Sequence, residues 1–213
     1  MAVSGAGART RASLLAAVTS LLDERGAEHV TITDVAVRAG VTRPTFYAVF
    51  GDLPTAFAEA AVARIADALA GEAVGEVPAG DRAEVMTVAI GRMLGRIAPH
   101  AEFFRRVLNG HGGHLVQQRV VALLAVEIRS NTPVSAALAR GPLPVEVAAT
   151  AIAAAIAWTM LDWFSRTPRV PVDELAEVIR DLLLHSVIGG LGAEPPGARP
   201  PAAGTHSYEL TNG

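Results

Sequence analysis

The chain has no cysteine and no lysine among its 213 residues. Without cysteine it cannot form a disulfide, a thiolate nucleophile or a Cys-ligated zinc site, and the absence suits a reducing compartment. All 18 basic residues are arginines, and 21 acidic residues outnumber them, which leaves a formal net charge of −3. Overall charge therefore does not indicate a nucleic-acid-binding protein, and a basic face would have to be created by the fold.

Aromatic residues and long hydrophobic runs are also scarce. Aromatics make up 5% of the chain and apolar residues 51%, so the core must form by close packing of Ala- and Val-rich segments. The longest mainly apolar run, Val147 to Leu161, has 15 residues including two threonines, fewer than the roughly 20 that a membrane-spanning helix needs. The first residues lack the basic start and apolar stretch of a secretory signal. We expect a soluble, cytoplasmic protein with no membrane partner.

Sequence motifs typical of enzyme active sites are absent as well. The chain has no G-x-S-x-G, no phosphate-binding or dinucleotide-binding glycine pattern and no H-E-x-x-H. His111 and His114 flank two glycines, but a metal site needs further ligands and no Asp or Glu lies within several positions, so a loop with solvent-facing histidines is favoured. We expect no enzymatic activity, no cofactor and no metal site.

The chain does contain one distinctive stretch at residues 31–50. Its pattern predicts two short helices joined by a tight turn: TITDVAVRAGVTRPTFYAVF. Thr31 and Asp34 can form a capping box at the start of the first helix, and Gly40 ends it. Thr42 can cap the second helix, with Pro44 in its first turn, where no internal hydrogen bond is lost. The pattern predicts a helix-turn-helix. Four residues of the second helix face outward: Arg43, Thr45, Tyr47 and Ala48.

Apolar residues recur at helical spacing along most of the remaining chain, and no strand pattern occurs. A helix from about Thr10 to Arg25 would cover the apolar side of the helix-turn-helix, and six more helices follow, ending with Val145 to Arg166 and Val172 to Ile188. We predict an all-α protein with an N-terminal three-helix helix-turn-helix domain and a larger helical domain. The predicted boundaries are 1–52 for the helix-turn-helix domain with a disordered arm over 1–8, 53–190 for the larger helical domain, and 191–213 for a disordered tail.

The helix from Val145 to Arg166 is apolar on more than one side, which a single buried face does not explain. We expect one set of residues to pack inward: Ala148, Ile152, Ala155, Ile156, Thr159 and Trp163. A second, smooth surface of small residues would let another helix approach closely: Ala151, Ala154 and Ala157.

These helices, in the order three plus six, resemble the TetR family of bacterial transcriptional regulators. The resemblance is clearest from Ala12 to Phe57, where a capped helix, A-G-V-T, the T-F-Y core and a Phe before the fourth helix follow the family's pattern. It implies that 1–52 is a helix-turn-helix DNA-binding domain, in which residues 43–49 form a recognition helix in the major groove of operator DNA. It also implies that 53–190 is a helical ligand-binding (effector-binding) and dimerisation domain, whose last two long helices form a four-helix dimer interface. Family members often carry Lys at the start of the fourth helix and a basic or aromatic-polar pair after the Tyr. This chain has Leu53 there, and Ala48 and Val49 after the Tyr.

Those departures shift the expected DNA contacts to hydroxyl groups, helix-terminal N–H groups and N-terminal arginines. Arg43 is the best candidate to read a base, because its guanidinium matches guanine O6 and N7, and Thr45 or Ala48 could touch a thymine methyl. The predicted DNA-binding residues are Thr31, Thr33, Thr42, Arg43, Pro44, Thr45, Tyr47 and Ala48. Residues 1–52 carry five Arg and five acidic residues, so Arg9, Arg11, Arg38 and Arg43 would form a basic surface only if the acids faced away.

A ligand cavity is the other candidate site. Candidate residues to line it are Met86, Met93, Phe103, Phe104, Trp158 and Asp162, although Met and aromatic residues at helical spacing are more often plain core. Arg166, one turn after Asp162, offers that carboxylate an ordinary ion pair instead.

Together these patterns indicate a homodimeric transcriptional regulator of double-stranded operator DNA. We expect a repressor released by a small, largely apolar effector. The alternative is a helical ligand-binding or scaffolding protein that has lost sequence-specific DNA binding.

Overall fold

The computed structural model describes residues 5–70, 82–110, 112–130, 132–167 and 169–188. Within them all regular structure is helical, and the all-α prediction is confirmed. The α-helices are α1 (Gly5–Glu24), α2 (Ile32–Ala39), α3 (Arg43–Phe50), α4 (Leu53–Leu69), α5 (Arg82–Ile97), α6 (Ala101–Asn109), α7 (Gly113–Ser130), α8 (Thr132–Leu138), α9 (Val145–Ser165) and α10 (Val172–Ile188). The predicted tail at 191–213 lies outside the described residues.

The first three helices form a small unit with its own core. The apolar stripe of α1, which includes Leu14, Val18 and Leu22, is fully buried, as is Phe46 of α3. Phe46 and Phe50 of α3 lie 5.5 Å apart between ring centroids. Two short amphipathic helices cannot exclude water by themselves, so α1 supplies the third wall of this core.

Two element boundaries differ from the sequence prediction. Gly5 to Ala8, predicted as part of a disordered arm, are helical, because α1 begins at Gly5. The described residues contain ten α-helices where nine were predicted, since α8 starts at Thr132 with Pro133 in its first turn. A Thr-Pro pair is compatible with the end of a helical segment, but proline at the second helical position fits the start of a new helix equally well.

The larger unit is built around α4, α7 and α9. The helix α4 packs on α1 as well as on α5, α6 and α7, and so joins the N-terminal unit to the rest. The helices α7 and α9 form the most extensive pairing, and α10 packs on α5 and α9. Small residues make close approach possible: Ala56, Ala58, Ala60 and Ala61 of α4 are all fully buried.

The two predicted faces of α9 are partly wrong. Ala155, expected inside, is exposed, and Ala157, expected on the second surface, is 1% exposed. Ala148 and Thr159, also expected inside, are only partly buried. The packed side instead includes Ala149, Ala153, Met160, Leu161 and Phe164, because α6, α7, α8 and α10 surround more of the helix than one stripe would fill.

The helix α9 is longer than the apolar run seen in the sequence. It has 21 residues and contains an 18-residue window with a mean hydropathy of 1.5, so it is long and apolar enough to cross a membrane by length and composition. Half of this apolar segment is buried within the helical bundle. A core helix meets the same criteria, and this one packs against four other helices.

Candidate nucleic-acid interface

The helix α2 begins with the predicted capping box. The Thr31 N–H donates to Asp34 Oδ2 at 3.0 Å, and the Asp34 N–H donates to Thr31 Oγ1 at 3.2 Å. The Thr31 hydroxyl also donates to Asp34 Oδ2 at 2.7 Å. This side-chain bond, followed by the backbone bond, lowers the pKa of the Asp34 carboxyl below its usual value. At the other end, Gly40 has φ +66, a left-handed conformation that glycine adopts without strain.

The helix α3 is held by the predicted Thr42 cap. Thr42 Oγ1 accepts from the Thr45 N–H at 3.4 Å and lies 2.9 Å from Thr45 Oγ1. Pro44 occupies the first turn of the helix, as expected. Phe46 and Phe50 point into the core, which rotates Arg43 and Tyr47 outward. Four residues of this helix are exposed: Arg43, Pro44, Tyr47 and Ala48.

The helix caps use hydroxyl groups that were predicted from the sequence to contact DNA. Thr31 uses its hydroxyl hydrogen on Asp34, and the Thr42 and Thr45 hydroxyls bond to each other. Thr45 is only partly exposed. Thr33 on α2, by contrast, is exposed and has no hydrogen bond within the described part of the chain. The polar groups left free at this surface are therefore Thr33, Arg43 and the Tyr47 hydroxyl.

The arginines do not form the isolated basic surface that we considered. Arg38 donates to Glu24 and to Ser20 Oγ, the latter at 2.8 Å, and Arg25 pairs with Asp34 at 3.0 Å. Arg11 pairs with Glu59 of α4. The acids thus face the arginines instead of pointing away.

Arg43 and Arg9 are the exceptions. Among the described residues neither has an acidic partner, and both side chains are exposed. Arg43 is also the only charged residue of α3. It is therefore the cation of the outward α3 face that is free to meet a phosphate or a base.

The sequence reasoning missed a set of contacts that joins the N-terminal unit to α6. Arg64 of α4 donates to both carboxylate oxygens of Asp23, at 2.9 and 2.5 Å, and its guanidinium lies 4.1 Å from the centroid of the Phe103 ring. Arg106 donates to the carbonyls of Leu22 and Asp23 at the end of α1, at 3.0 and 2.6 Å. These partners are 41 to 84 residues apart in sequence, so no local pattern indicates them.

The predicted ligand-lining residues differ in how deeply they are buried. Phe103 and Phe104 are buried, and Phe104 stacks on Phe164 of α9 with ring centroids 4.4 Å apart. Met93 is buried, whereas Trp158 is 66% exposed and faces away from the interior. Met86 is partly buried on α5.

Asp162 forms the ion pair anticipated as the simpler interpretation, with 2.6 Å between Arg166 Nε and Asp162 Oδ2. An open groove between α1 and α4 contains none of these six candidates. Their role in binding a ligand stays a prediction.

Of the two histidines considered for a metal, His111 lies outside the described residues. His114 is exposed and lies 2.9 Å from the side-chain nitrogen of Gln118. The described residues contain no group of three or more potential metal ligands.

A compact helix-turn-helix, capped at both helices and joined by α4 to a larger helical unit, defines an all-helical protein with an N-terminal helix-turn-helix unit. The family model for bacterial regulatory proteins of the tetR family matches residues 14–52, which span the second half of α1 through the α4 cap. The N-terminal unit is therefore a TetR-type helix-turn-helix domain, and the chain has the fold of TetR-family transcriptional regulators.

Solved structures support the same fold over most of the chain. A TetR-family transcriptional regulator from Streptomyces coelicolor superimposes with a TM-score of 0.55 at 18% identity, covering 87% of this chain and 82% of that one. The TetR-family repressor AlkX from Dietzia sp. strain DQ12-45-1b, implicated in biodegradation of n-alkanes, gives 0.54 at 22% identity, with 83% and 96% covered. No curated protein is similar in sequence to this chain.

Proposed function

We propose that this protein is a homodimeric repressor that binds operator DNA through α3 and is released by a small molecule bound in the larger domain. The observation that carries the proposal is the outward face of α3. There Arg43, free of any acidic partner in the described chain, and the exposed Tyr47 stand on a helix held rigidly by its caps and buried phenylalanines. A rigid helix with an arginine near its N-terminus is suited to the major groove, where guanine presents two acceptors.

Dimerisation is supported by the exposed apolar side of α9. Val147 is 53% and Trp158 66% exposed, with the exposed alanines Ala151 and Ala154 between them, one turn apart. Val178 of α10, 50% exposed, extends the apolar surface to the neighbouring helix. Packing this surface, named here the α9/α10 face, against a second copy would bury it and give a four-helix interface.

Release by an effector follows from geometry. Two recognition helices that read successive major grooves must lie about 34 to 36 Å apart, so a small change of that spacing removes simultaneous contact. The contacts between α6 and α1, through Arg64, Phe103 and Arg106, are the physical link by which a change in the larger domain would tilt the DNA-binding domains. The buried Phe103, Phe104 and Met93 make a largely apolar effector the expected class.

DNA retardation with the gene's own upstream sequence tests the proposal. We expect a shifted complex at low salt that keeps its sequence preference as salt is raised, because base contacts survive when phosphate contacts are screened. Arg43→Ala should relax the preference, while Arg140→Ala, which removes an exposed arginine of the larger unit, serves as the matched control.

The second candidate is a helical ligand-binding or scaffolding protein without sequence-specific DNA binding. The observation that favours it is the pairing of Arg11, Arg25 and Arg38 with carboxylates, which leaves few free cations on the DNA-binding domain. Wild-type protein that fails to retard upstream DNA at low salt, or that binds without preference as salt is raised, would support this candidate against the repressor.

A further inference from the structure

One carboxylate lies at the point where the DNA-binding domain meets the larger unit. Glu59 of α4 accepts from Arg11 of α1 at Oε2 and from Arg119 of α7 at Oε1, the latter at 3.2 Å. Its side chain is 17% exposed, against 49% for Arg11 and 37% for Arg119. The Arg11–Glu59–Arg119 bridge thus connects three helices through a single acid.

Arg11 lies close to the C-terminal end of α3. Its guanidinium is 5.4 Å from the centroid of the ring of Phe50, the last residue of that helix. The other two paired arginines of this domain, Arg25 and Arg38, bond to acids of the same domain. Arg11 differs because its partner acid is also held by a helix of the larger unit.

This arrangement makes Arg11 subject to competition. A half-exposed guanidinium pairs readily with either a carboxylate or a phosphate, and both form charge-assisted hydrogen bonds of similar geometry. While Glu59 holds Arg11, its positive charge is partly neutralised, and its attraction to DNA is reduced without being lost. Arg119 bonds to the other oxygen of the same carboxylate, and its positive charge weakens the attraction of Glu59 for Arg11, so the position of α7 determines how strongly Glu59 holds Arg11.

We infer that Glu59 withholds Arg11 from a DNA phosphate and that Arg119 regulates this restraint from the larger domain. The inference rests on the proposed DNA-binding function. When Arg119 lies close to Glu59, Arg11 transfers more easily to a phosphate. When α7 moves Arg119 away, Glu59 keeps Arg11 and affinity for DNA falls.

The test measures DNA affinity as a function of salt by fluorescence anisotropy, using the full chain and a labelled upstream duplex. Each phosphate contact adds about 0.9 to the slope of log affinity against log salt, so one per protomer adds about 1.8 per dimer. Glu59→Gln should bind more tightly at low salt, with a slope steeper by up to that amount. Arg119→Gln should bind more weakly with a shallower slope.

Two further variants show whether the effect passes through Arg11. Glu59→Gln combined with Arg11→Gln should behave as Arg11→Gln alone. Glu127→Gln on α7, which removes an exposed negative charge elsewhere, should leave the slope unchanged. Arg11→Gln alone changes only a half-exposed residue, so it tests the inference even if Glu59→Gln does not fold. The salt dependence of DNA binding by Arg11→Gln should have a shallower slope than that of the wild type.

Three results would overturn the inference: a wild-type slope in Arg11→Gln, the same gain from Glu59→Gln with or without Arg11, or an unchanged or steeper slope in Arg119→Gln. Wild-type protein that binds no DNA is a separate result, which refutes the proposed function and the inference with it. Wild-type protein that binds with preference while the variants leave the slope unchanged refutes the inference alone.

Discussion

At the residue scale, the outward side of α3 presents two polar side chains. Arg43 carries the only charge of the helix, and Tyr47, 46% exposed, presents a hydroxyl group to solvent. Neither residue contributes to the core, whose α3 members are Phe46 and Phe50. Their substitution should therefore alter binding without altering the fold.

Arg43→Ala should relax base preference, whereas Tyr47→Phe should weaken binding to every sequence alike. A bidentate arginine–guanine pair discriminates by about 1 to 3 kcal/mol, while a phosphate contact carries no direct sequence information. Affinities for the upstream duplex and for duplexes with single base changes distinguish the two. An equal loss of preference in both variants would contradict the separate roles.

Glu102 gives a prediction for pH. Hydrogen bonds from Arg105 and then Arg106 lower the pKa of its carboxyl from 4.5 to about 2. Because the folded-state pKa is the lower one, the stabilisation is fully present above pH 4.5 and is lost as the pH falls toward 2. Glu102→Gln should lower the urea midpoint slightly at pH 6, since the side chain is about half exposed, and the difference from wild type should shrink below pH 4.5. A difference independent of pH would show that charge is not its source.

At the element scale, the caps determine where the short helices begin. The helix α2 has only eight residues, so its first-turn N–H groups form a large share of its hydrogen-bonding capacity. The capping box satisfies them locally, and the Gly40 turn then sets the direction of α3. The stability of α2 and the orientation of α3 are thus coupled through these capping and turn residues, which need not touch DNA.

Thr31→Ala should lower the free energy of unfolding by about 1 kcal/mol, because it removes the side-chain cap. Thr31→Ser should restore most of that loss. Thr33→Ala, an exposed threonine two residues on without a capping role, is the matched control and should change stability little. Urea unfolding followed by circular dichroism measures all three, and equal losses from Thr31→Ala and Thr33→Ala would exclude a capping effect.

At the scale of the whole molecule, the proposed dimer depends on the α9/α10 face. Val147→Asp should dissociate the dimer, since it places a charge within an apolar interface. Val126→Asp on α7 is the matched control, because that valine is similarly exposed, at 47% against 53%, but lies outside the α9/α10 face. Light scattering after size exclusion gives the mass of each variant. If the Val147→Asp protein is still a dimer, the dimer interface lies on another surface.

The larger unit is also joined to the N-terminal unit by long-range contacts. Phe164 of α9 stacks on Phe104, Phe103 lies under Arg64, and Arg64 bonds to Asp23 of α1. These contacts run from the buried side of α9 to the end of α1.

The sequence by itself determined the features that depend on neighbouring residues. The capping box of Thr31 and Asp34, the Gly40 turn, the Thr42 cap and Pro44 all act within four positions, so their residue types and spacing were sufficient to predict them. Helical periodicity likewise predicted the all-α class and the buried side of α3. The α8 helix was missed because Pro133 is compatible with either a stop or a start.

Only the tertiary structure decided which surfaces meet. Arg11 and Glu59 are 48 residues apart, and Arg64 and Asp23 are 41 apart, so their pairing depends on how α1 and α4 cross. The same holds for α9, which has alanine at nearly every turn, because alanine is compatible with either a buried or an exposed position. The neighbouring helices decide that Ala157 is buried and Ala155 exposed. Charge availability at the DNA surface is therefore a property of helix packing, since packing places a carboxylate beside Arg11, Arg25 and Arg38 and none of those described beside Arg43.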